Sequence, residues 1–200
     1  MLVGLGLGPG DPELLTLRAV RLLGEADAVF VPGGIAQKLV APYRDAEVLA
    51  FPMTDDEAVV QHAIEESAER IARVAGEGLA VFALLGDPNV YSTYARLSAA
   101  IRERHPEIPC MTVPGVSSIT AFASVAGVTL SGGFTVSDGS GERGRILLKV
   151  RRPREEAERL AREGFSEFVL VERMFLAGER VYRDTLPEES TYFSILYAGR

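Results

Sequence analysis

The sequence has few of the side chains on which nucleophilic and metal-dependent catalysis depends. Its 200 residues include one cysteine, two histidines and no tryptophan. A single thiol, Cys110, excludes a disulfide within the chain and argues against a thiolate metal site. His62 lies in a charged stretch and His105 precedes a proline at a predicted helix end, so both are predicted to be solvated surface residues. We therefore expect no metal site and no serine–histidine, cysteine–histidine or zinc mechanism.

Long apolar segments are also absent from the sequence. No run approaches the roughly 18 apolar residues that a transmembrane helix needs, and no basic segment precedes the first apolar stretch. We accordingly expect a cytoplasmic protein without a membrane partner. The net charge of −7 argues against nucleic acid as a partner, because binding to phosphates requires clustered lysine and arginine.

Basic residues are nevertheless concentrated in one part of this acidic chain. The basic run consists of Arg143, Arg145, Lys149, Arg151, Arg152 and Arg154. It is either a solvated surface around a strand end and a helix start or a site for a polyanionic ligand. Just before it, residues 137–142 contain two glycines and two serines but no apolar side chain, which predicts a mobile loop.

Residues 4–12 join an apolar strand start to four alternate glycines and two prolines. Glycine lets the backbone approach a ligand and adopt positive φ, whereas Pro9 and Pro12 restrict the loop, so a ligand-facing loop is predicted. A dinucleotide-binding fingerprint would need a glycine where Pro9 stands, and proline has no N–H to offer a pyrophosphate. The dinucleotide interpretation is therefore disfavoured.

Two further loops follow predicted strands. Residues 86–94 come after the apolar strand 79–85, and residues 114–118 come after strand 111–113 and begin a helix with small polar side chains. Ligands of open α/β sheets bind beyond the carboxyl ends of the strands. The glycine-rich loops are therefore expected to face one cleft.

Alternating strand and helix patterns predict an α/β fold made of two α/β domains. Residues 1–113 are expected to form a mainly parallel sheet, with strands 2–7 and 28–31 and helices 16–23, 55–77 and 91–105. Residues 114–200 are expected to form a mixed sheet. Its predicted strands are 133–136, 145–150, 168–173, 180–183 and 192–197, with one helix at 153–163.

In this order and at this spacing, the three loops resemble the tetrapyrrole methylases, which use S-adenosylmethionine and include uroporphyrinogen, precorrin and diphthine methyltransferases. The resemblance covers the whole chain and rests on residues 4–16, 86–88 and 114–118. Within the family, residues 86–94 and the ending 192–196 are most similar to precorrin-2 carbon-20 methyltransferases of cobalamin biosynthesis. Two features depart from that pattern: the second domain is short, and residues 32–34 read Pro-Gly-Gly.

The resemblance implies that S-adenosylmethionine lies in a cleft between the two domains and that a small-molecule tetrapyrrole is the substrate of a homodimer. The implied cofactor contacts are Leu7, Gly86, Asp87, Val90, Ser117, Ser118 and Leu148, the last standing where many members have methionine. The expected substrate contacts are Gly8, Pro9, Gly10, Asp11, Tyr91, Arg143 and Arg145. No catalytic residue is assigned.

Methyl transfer suits a chain poor in histidine and cysteine, because a sulfonium carries its own leaving group and its reaction depends mainly on alignment. Arginines of the basic run could bind tetrapyrrole carboxylates bidentately. Asp87 either accepts a hydrogen bond from the cofactor or caps helix 91–105, and Tyr94 is predicted to be a core residue. The open alternatives are another tetrapyrrole methylase, of the uroporphyrinogen III or precorrin-4 type, a non-catalytic S-adenosylmethionine-binding module, and a family member acting on RNA or on a protein histidine.

Overall fold

The computed structural model describes residues 1–52 and 54–200, which form two compact units, Met1–Phe134 and Thr135–Arg200. The division lies at 134/135, whereas the sequence predicts a boundary at 113/114. Residues after 113 stay with the first unit because the Gly115 amide donates to the Asp87 carboxylate at 3.2 Å. The chain beyond this bond then continues into a helix of the same unit.

The sheet of the first unit has five strands, and every pair in it is parallel. The strands are β1 (Leu2–Gly6), β2 (Ala28–Val31), β3 (Ala46–Val48), β4 (Ala80–Leu84) and β5 (Cys110–Val113), in the order β3-β2-β4-β1-β5. The predicted parallel sheet is confirmed. The sequence analysis missed β3, whose three residues include the polar Glu47 and bury none of their side chains fully.

Helices cover both faces of this sheet. The covering helices are α1 (Leu17–Glu25), α2 (Gly34–Val40), α3 (Glu57–Ala75) and α4 (Tyr94–Arg104). A further helix, α5 (Ser118–Ala126), buries none of its residues, and a 3-10 turn forms at Pro12–Leu14. One core cluster joins the sheet to α1 and α2, and another joins it to α3 and α4. Alternation along β1 explains the two cores, because Leu2 packs in one and Val3 in the other.

The helix ends follow capping chemistry. Thr16 accepts a hydrogen bond from the Ala19 amide at 3.1 Å and so begins α1. Asp56 accepts from the Ala58 amide at 3.0 Å and begins α3 in the same way. The sequence predicts that the first helix ends at residue 23, but α1 continues through Gly24 to Glu25. The sequence analysis did not predict α2, which begins at Gly34 with Gly33 at the N-cap position.

The second unit is a four-stranded sheet with one helix. Its elements are β6 (Gly144–Leu148), α6 (Pro153–Arg162), β7 (Glu167–Glu172), β8 (Arg180–Tyr182) and β9 (Ser194–Gly199), and the strand order is β6-β9-β7-β8. All three strand pairs are antiparallel, which corrects the predicted mixed sheet. The parallel strands β6 and β7 are not neighbours, because the last strand, β9, lies between them. No strand forms at residues 133–136, which the structure describes as irregular.

Candidate functional site

Three loops meet at the carboxyl ends of the adjacent strands β4, β1 and β5, where Gly86, Gly6 and Gly115 pack backbone against backbone. We call these three residues the glycine junction. A Cβ added to Gly6 would lie 2.6 Å from the Gly86 carbonyl oxygen and 2.7 Å from the Gly115 Cα. One added to Gly115 would lie 2.7 Å from the Gly6 carbonyl carbon. The close approach of the loops therefore depends on the absence of side chains.

The first and middle loops are also joined by a short antiparallel bridge. The Gly86 amide donates to the Gly8 carbonyl at 2.7 Å, and the Gly8 amide donates to the Gly86 carbonyl at 3.3 Å. Gly8 has φ 76° and Gly86 has φ 72°, a region that strains other residues. The sequence analysis expected Gly8 and Gly86 to lie in two loops facing one cleft, and the structure joins these two loops at the two glycines.

Asp87 connects the middle loop to the third loop. Its Oδ2 accepts from the Gly115 amide at 3.2 Å, and its Oδ1 accepts from the Asn89 amide at 2.8 Å. The alternative role as a helix cap is wrong, because Thr93 occupies the N-cap position of α4. The predicted hydrogen bond to a cofactor stays a prediction. Each carboxylate oxygen already accepts one backbone hydrogen bond, and each has a second lone pair.

Tyr94 is a core residue, as the sequence analysis predicted. It is 3% exposed, and its ring lies so close to Gly4 that a Cβ there would approach it within 2.7 Å. Its hydroxyl donates to the Met111 carbonyl at 2.7 Å. Burial raises the pKa of Tyr94 to about 12. The residue therefore supports the strands behind the glycine junction and stays protonated at neutral pH.

The remaining predicted contacts of the first unit differ in exposure. Leu7 is fully buried in the core. Ser117 is half-buried and caps α5 by accepting from the Ile119 amide at 3.3 Å. Those that are exposed or partly exposed are Pro9, Gly10, Asp11, Val90, Tyr91 and Ser118. Their roles in ligand binding stay predictions.

Tyr91 and Asp11 have local features that shape their loops. Tyr91 has φ 47°, an uncommon conformation for a residue with a side chain. Asp11 accepts from the Glu13 amide at 2.9 Å and so caps the 3-10 turn. The glycine loop thus leads into a defined turn, which fixes the path of the chain towards α1.

The second unit holds Arg145 within a pair of carboxylates. Its guanidinium contacts Glu142 at 3.0 Å and Glu163 at 2.8 Å, and it lies 4.9 Å from the ring centre of Phe165. The hydrogen bonds that its guanidinium donates to these two carboxylates raise the pKa of Arg145 above its ordinary value. A substrate carboxylate would have to compete with both, so the predicted substrate contact is not favoured by this environment.

Other members of the basic run differ in their partners. Arg152 pairs with Glu155 at 3.2 Å, and Arg154 pairs with Glu188 at 3.0 Å. Arg143 lies near Asp138, whose pKa is lowered first by the Ser140 side chain and more weakly by this arginine. Within the described ranges, Lys149 and Arg151 form no ion pair and instead lie beside the ring of Tyr192, at 5.0 and 5.7 Å from its centre. The sequence analysis included these two cations in the basic run but had no means of separating them from the paired arginines.

Neither a metal-ligand group nor a membrane-spanning helix occurs among the residues that the structure describes. No group of three or more His, Cys, Asp or Glu side chains in residues 1–52 and 54–200 is arranged to hold a metal ion. In the same ranges, no helix is long and apolar enough to cross a membrane. His62 is exposed, as predicted, whereas His105 at the end of α4 is only partly exposed and lies 3.3 Å from Glu69.

Comparison with known proteins shows a match along most of the chain. The family described as Tetrapyrrole (Corrin/Porphyrin) Methylases matches residues 1–189. The precorrin-2 C(20)-methyltransferase of Sinorhizobium sp is 32% identical over 231 residues, covering 98% of this chain and 93% of the relative. The cobalamin biosynthesis protein CobIJ of Mycobacterium tuberculosis is 31% identical over 229 residues, and the aligned part covers 96% of this chain but only 44% of that protein.

Among solved structures, the uroporphyrin III C-methyl transferase of Thermus thermophilus is similar to this chain. It is 26% identical with a TM-score of 0.51, and the match covers 100% of this chain and 98% of that structure. The fold class predicted from the sequence is therefore confirmed.

Proposed function

The chain belongs to the tetrapyrrole (corrin/porphyrin) methylase family, and from that membership we propose that it transfers a methyl group from S-adenosylmethionine to a tetrapyrrole. The family uses this methyl donor. The proposed substrate is precorrin-2 or cobalt-precorrin-2, methylated at carbon 20 in cobalamin biosynthesis. The Sinorhizobium relative named for this activity, similar over nearly its whole length, supports the choice of carbon.

The observation that carries the proposal is the glycine junction. Three loops meet at the carboxyl ends of neighbouring parallel strands, where ligands of open α/β sheets bind. A side chain at Gly6 or Gly115 would fill the space in which these loops meet. The junction therefore offers a preformed, narrow surface rather than a flexible one, and methyl transfer depends on alignment of this kind.

The residues present fit the proposed donor. Asp87 supplies a carboxylate at the junction, while Val90, Ser117 and Ser118 follow in the middle and third loops. We propose that these residues hold S-adenosylmethionine, which supplies an activated methyl group with its own leaving group. The protein's own contribution is to orient the donor and the substrate and to exclude water, since no nucleophilic side chain is needed.

Calorimetry with S-adenosylmethionine and with S-adenosylhomocysteine is the first test. We expect both to bind the folded protein. A dissociation constant of 1 mM corresponds to only about −4 kcal/mol, so absence of binding at that concentration would reject the proposal.

The second test is incubation with precorrin-2 and labelled donor, followed by mass spectrometry and by NMR to locate the new methyl group. We expect one methyl group at carbon 20. Methylation at another carbon would place the chain among the other tetrapyrrole methylases. Donor binding without transfer to any tetrapyrrole would indicate a non-catalytic module.

We also propose a homodimer acting in the cytoplasm. The exposed side chains of α5 support a protein–protein contact, because this helix buries none of its residues and exposes Phe122 and Val125. Light scattering coupled to size-exclusion chromatography measures the mass directly. A mass of one chain at micromolar concentration would contradict the proposed dimer.

A further inference from the structure

One end of the second unit's sheet gathers cations and aromatic rings. Strands β6 and β7 end there and β9 begins there, because Leu148 lies opposite Ile195 and Glu172 lies opposite Ser194. The Lys149 amide donates to the Ser194 carbonyl at 2.8 Å. The segments that leave β6 and β7 are therefore both attached to the start of β9. We call the set Lys149, Arg151, Arg173, Tyr192 and Phe193 the cationic rim.

The cations of this rim lack carboxylate partners in the structure. Within the described ranges, no Asp or Glu lies within ion-pair distance of Lys149, Arg151 or Arg173. Arg173 uses one N–H to donate to the Ala177 carbonyl at 2.7 Å, and its amide donates to the Phe193 carbonyl at 2.7 Å. The rim therefore has an excess of positive charge, whereas Arg145, Arg152 and Arg154 of the basic run pair with glutamates.

Nearby acidic side chains are occupied elsewhere. Glu172 is 7% exposed, and its carboxylate accepts from the Ser190 hydroxyl at 2.6 Å and from the Tyr182 hydroxyl at 3.4 Å. Glu155 and Glu156 line the same groove of about 360 Å³ as Lys149 and Arg151. Those two glutamates pair with arginines of α6 or of its N-terminal boundary.

The rings of the rim hold its cations without neutralising them. Lys149 and Arg151 both lie beside the ring of Tyr192, at 5.0 and 5.7 Å from its centre. Tyr192 in turn contacts Phe193 edge to face, with ring centres 5.5 Å apart. A cation beside an aromatic ring is attracted to it yet keeps its full charge for an anion. Both rings are about half exposed or more, at 47% and 58%.

The backbone of the rim is strained where two of the cations stand. Lys149 has φ 60° and Arg173 has φ 52°, in the left-handed region that favours glycine. Such conformations are energetically costly and are concentrated at binding sites. Glycine would relieve the strain at either position but would remove a positive charge.

An exposed apolar surface adjoins the rim. Along β6, Ile146 is 67% exposed and Leu148 is 65% exposed, whereas Leu147 between them packs into the core. Cross-strand pairing places Tyr197 opposite Ile146 and Ile195 opposite Leu148. One sheet face is thus apolar and ends at three cations, which suits a flat apolar ring with carboxylates at its edge.

We propose that Lys149, Arg151 and Arg173 bind the peripheral carboxylates of the tetrapyrrole substrate. The inference rests on the proposed function and deepens it, because it assigns substrate binding to rim cations outside the predicted pair Arg143 and Arg145. Lysine and arginine form charge-assisted hydrogen bonds with carboxylates, and arginine does so bidentately. Arg145 is held by Glu142 and Glu163, whereas Lys149, Arg151 and Arg173 have no carboxylate within ion-pair distance among the described residues.

The test uses the double variant Lys149→Gln/Arg151→Gln and the matched control Arg152→Gln/Arg154→Gln, which removes two paired cations of the same run. Fluorescence titration with uroporphyrin III, a stable polycarboxylate macrocycle, measures binding without methyl transfer. We expect the rim variant to bind at least about tenfold more weakly, since each charge-assisted hydrogen bond lost is worth more than one tenfold step. The control should bind like the wild type.

Two further measurements complete the test: the salt dependence of uroporphyrin III binding and the affinity for S-adenosylhomocysteine. Binding by the wild type should weaken as salt rises, and the rim variant should show a flatter dependence because fewer charges are screened. Calorimetry with S-adenosylhomocysteine should give equal affinities for all three proteins, which shows that the variants are folded. Failure of the wild type to bind uroporphyrin III, or equal binding by the rim variant, would overturn the inference.

The two proposals fail in different ways. If the wild type binds uroporphyrin III through the rim but transfers no methyl group to any tetrapyrrole, the rim assignment stands and the proposed activity is wrong. If the rim variant methylates precorrin-2 with an unchanged KM, the activity stands and the rim assignment is wrong.

Discussion

Residues 1–134 contain sixteen Asp and Glu against nine Lys and Arg, whereas residues 135–200 contain twelve of each. The whole net charge of −7 therefore belongs to the first unit. A polycarboxylate ligand is repelled by that unit as a whole and meets no net repulsion from the second. In the proposed enzyme, donor binding therefore relies on backbone in the acidic unit, and substrate binding relies on unpaired cations in the neutral unit.

The same contrast appears in the backbone. Among the described residues of the first unit, the positive-φ residues are glycines apart from Tyr91, and one of them, Gly86, belongs to the junction. In the second unit Lys149, Arg173 and Phe175 adopt positive φ despite their side chains. Glycine at the junction leaves room for the loops to approach one another, whereas the rim keeps side chains at strained positions. Adding a side chain should therefore disrupt the junction, and removing one should disrupt the rim.

The largest expected effect comes from filling the junction. Gly115→Ala places a Cβ 2.7 Å from the Gly6 carbonyl carbon, and the adjacent loops must shift to relieve the clash. Overpacking of this kind costs about 1–3 kcal/mol of stability. We expect a lower Tm and loss of S-adenosylhomocysteine binding, measured by thermal denaturation and calorimetry. Gly24→Ala is the matched control, because a Cβ at Gly24 meets nothing within 4 Å. Equal donor affinity in both variants would show that the junction is not the donor site.

Asp87→Ala tests whether the carboxylate connects the loops or also contacts the donor. Loss of its bonds to the Asn89 and Gly115 amides should lower stability by about 1–2 kcal/mol. We expect donor affinity to fall in addition, by about tenfold for a charge-assisted bond. Asp87→Asn separates the effects, since an amide oxygen still accepts one backbone hydrogen bond but carries no charge. Full donor affinity in the Asn variant would mean that only loop positioning matters.

The parts of the fold that could be predicted are those encoded by local patterns. Strand β4 follows from an uninterrupted apolar run, and α3 follows from Ile64, Ala68, Ile71 and Ala75 at helical spacing, all of them buried. Strand β3 is too short to show a pattern. The antiparallel sheet of the second unit depends on β9 lying between β6 and β7, a long-range choice that alternation within each strand does not reveal.

The candidate site likewise has features that local sequence patterns predict and features that they do not. Gly6, Gly86 and Gly115 could be located because loops after parallel strands meet at one edge. The charge environment of the basic run could not be predicted, because Arg145 is neutralised by Glu163, eighteen residues later in sequence. Which cation remains unpaired depends on contacts between distant segments.

A smaller effect is expected from Tyr94→Phe, which leaves the Met111 carbonyl without its hydroxyl donor. The expected cost is about 1 kcal/mol, with the ring still packed against Gly4.

The pH dependence of stability is more diagnostic of the role of Tyr94. Burial raises the pKa of Tyr94 to about 12, above its ordinary value of 10.0. The unfolded chain therefore releases this proton at a lower pH than the folded protein does. The contribution of Tyr94 to stability is complete below pH 10 and is lost as the pH rises towards 12. Chemical denaturation from pH 8 to 11 should show a shallower alkaline loss in the variant, and identical slopes would contradict this.

The smallest effect is expected from Arg145→Gln, which tests whether the paired part of the basic run contributes to substrate binding. Arg145 is only partly exposed to solvent and is shared between Glu142 and Glu163, and ion pairs near the surface contribute little to stability. Its positive charge is already balanced locally, so the salt dependence of uroporphyrin III binding should match that of the wild type. The rim variant provides the contrast, because it removes cations with no such balance. A marked rise in the uroporphyrin III dissociation constant for Arg145→Gln would instead show that a substrate carboxylate displaces one of the two glutamates. In that case the division between paired and unpaired cations would not describe how the second unit binds its ligand.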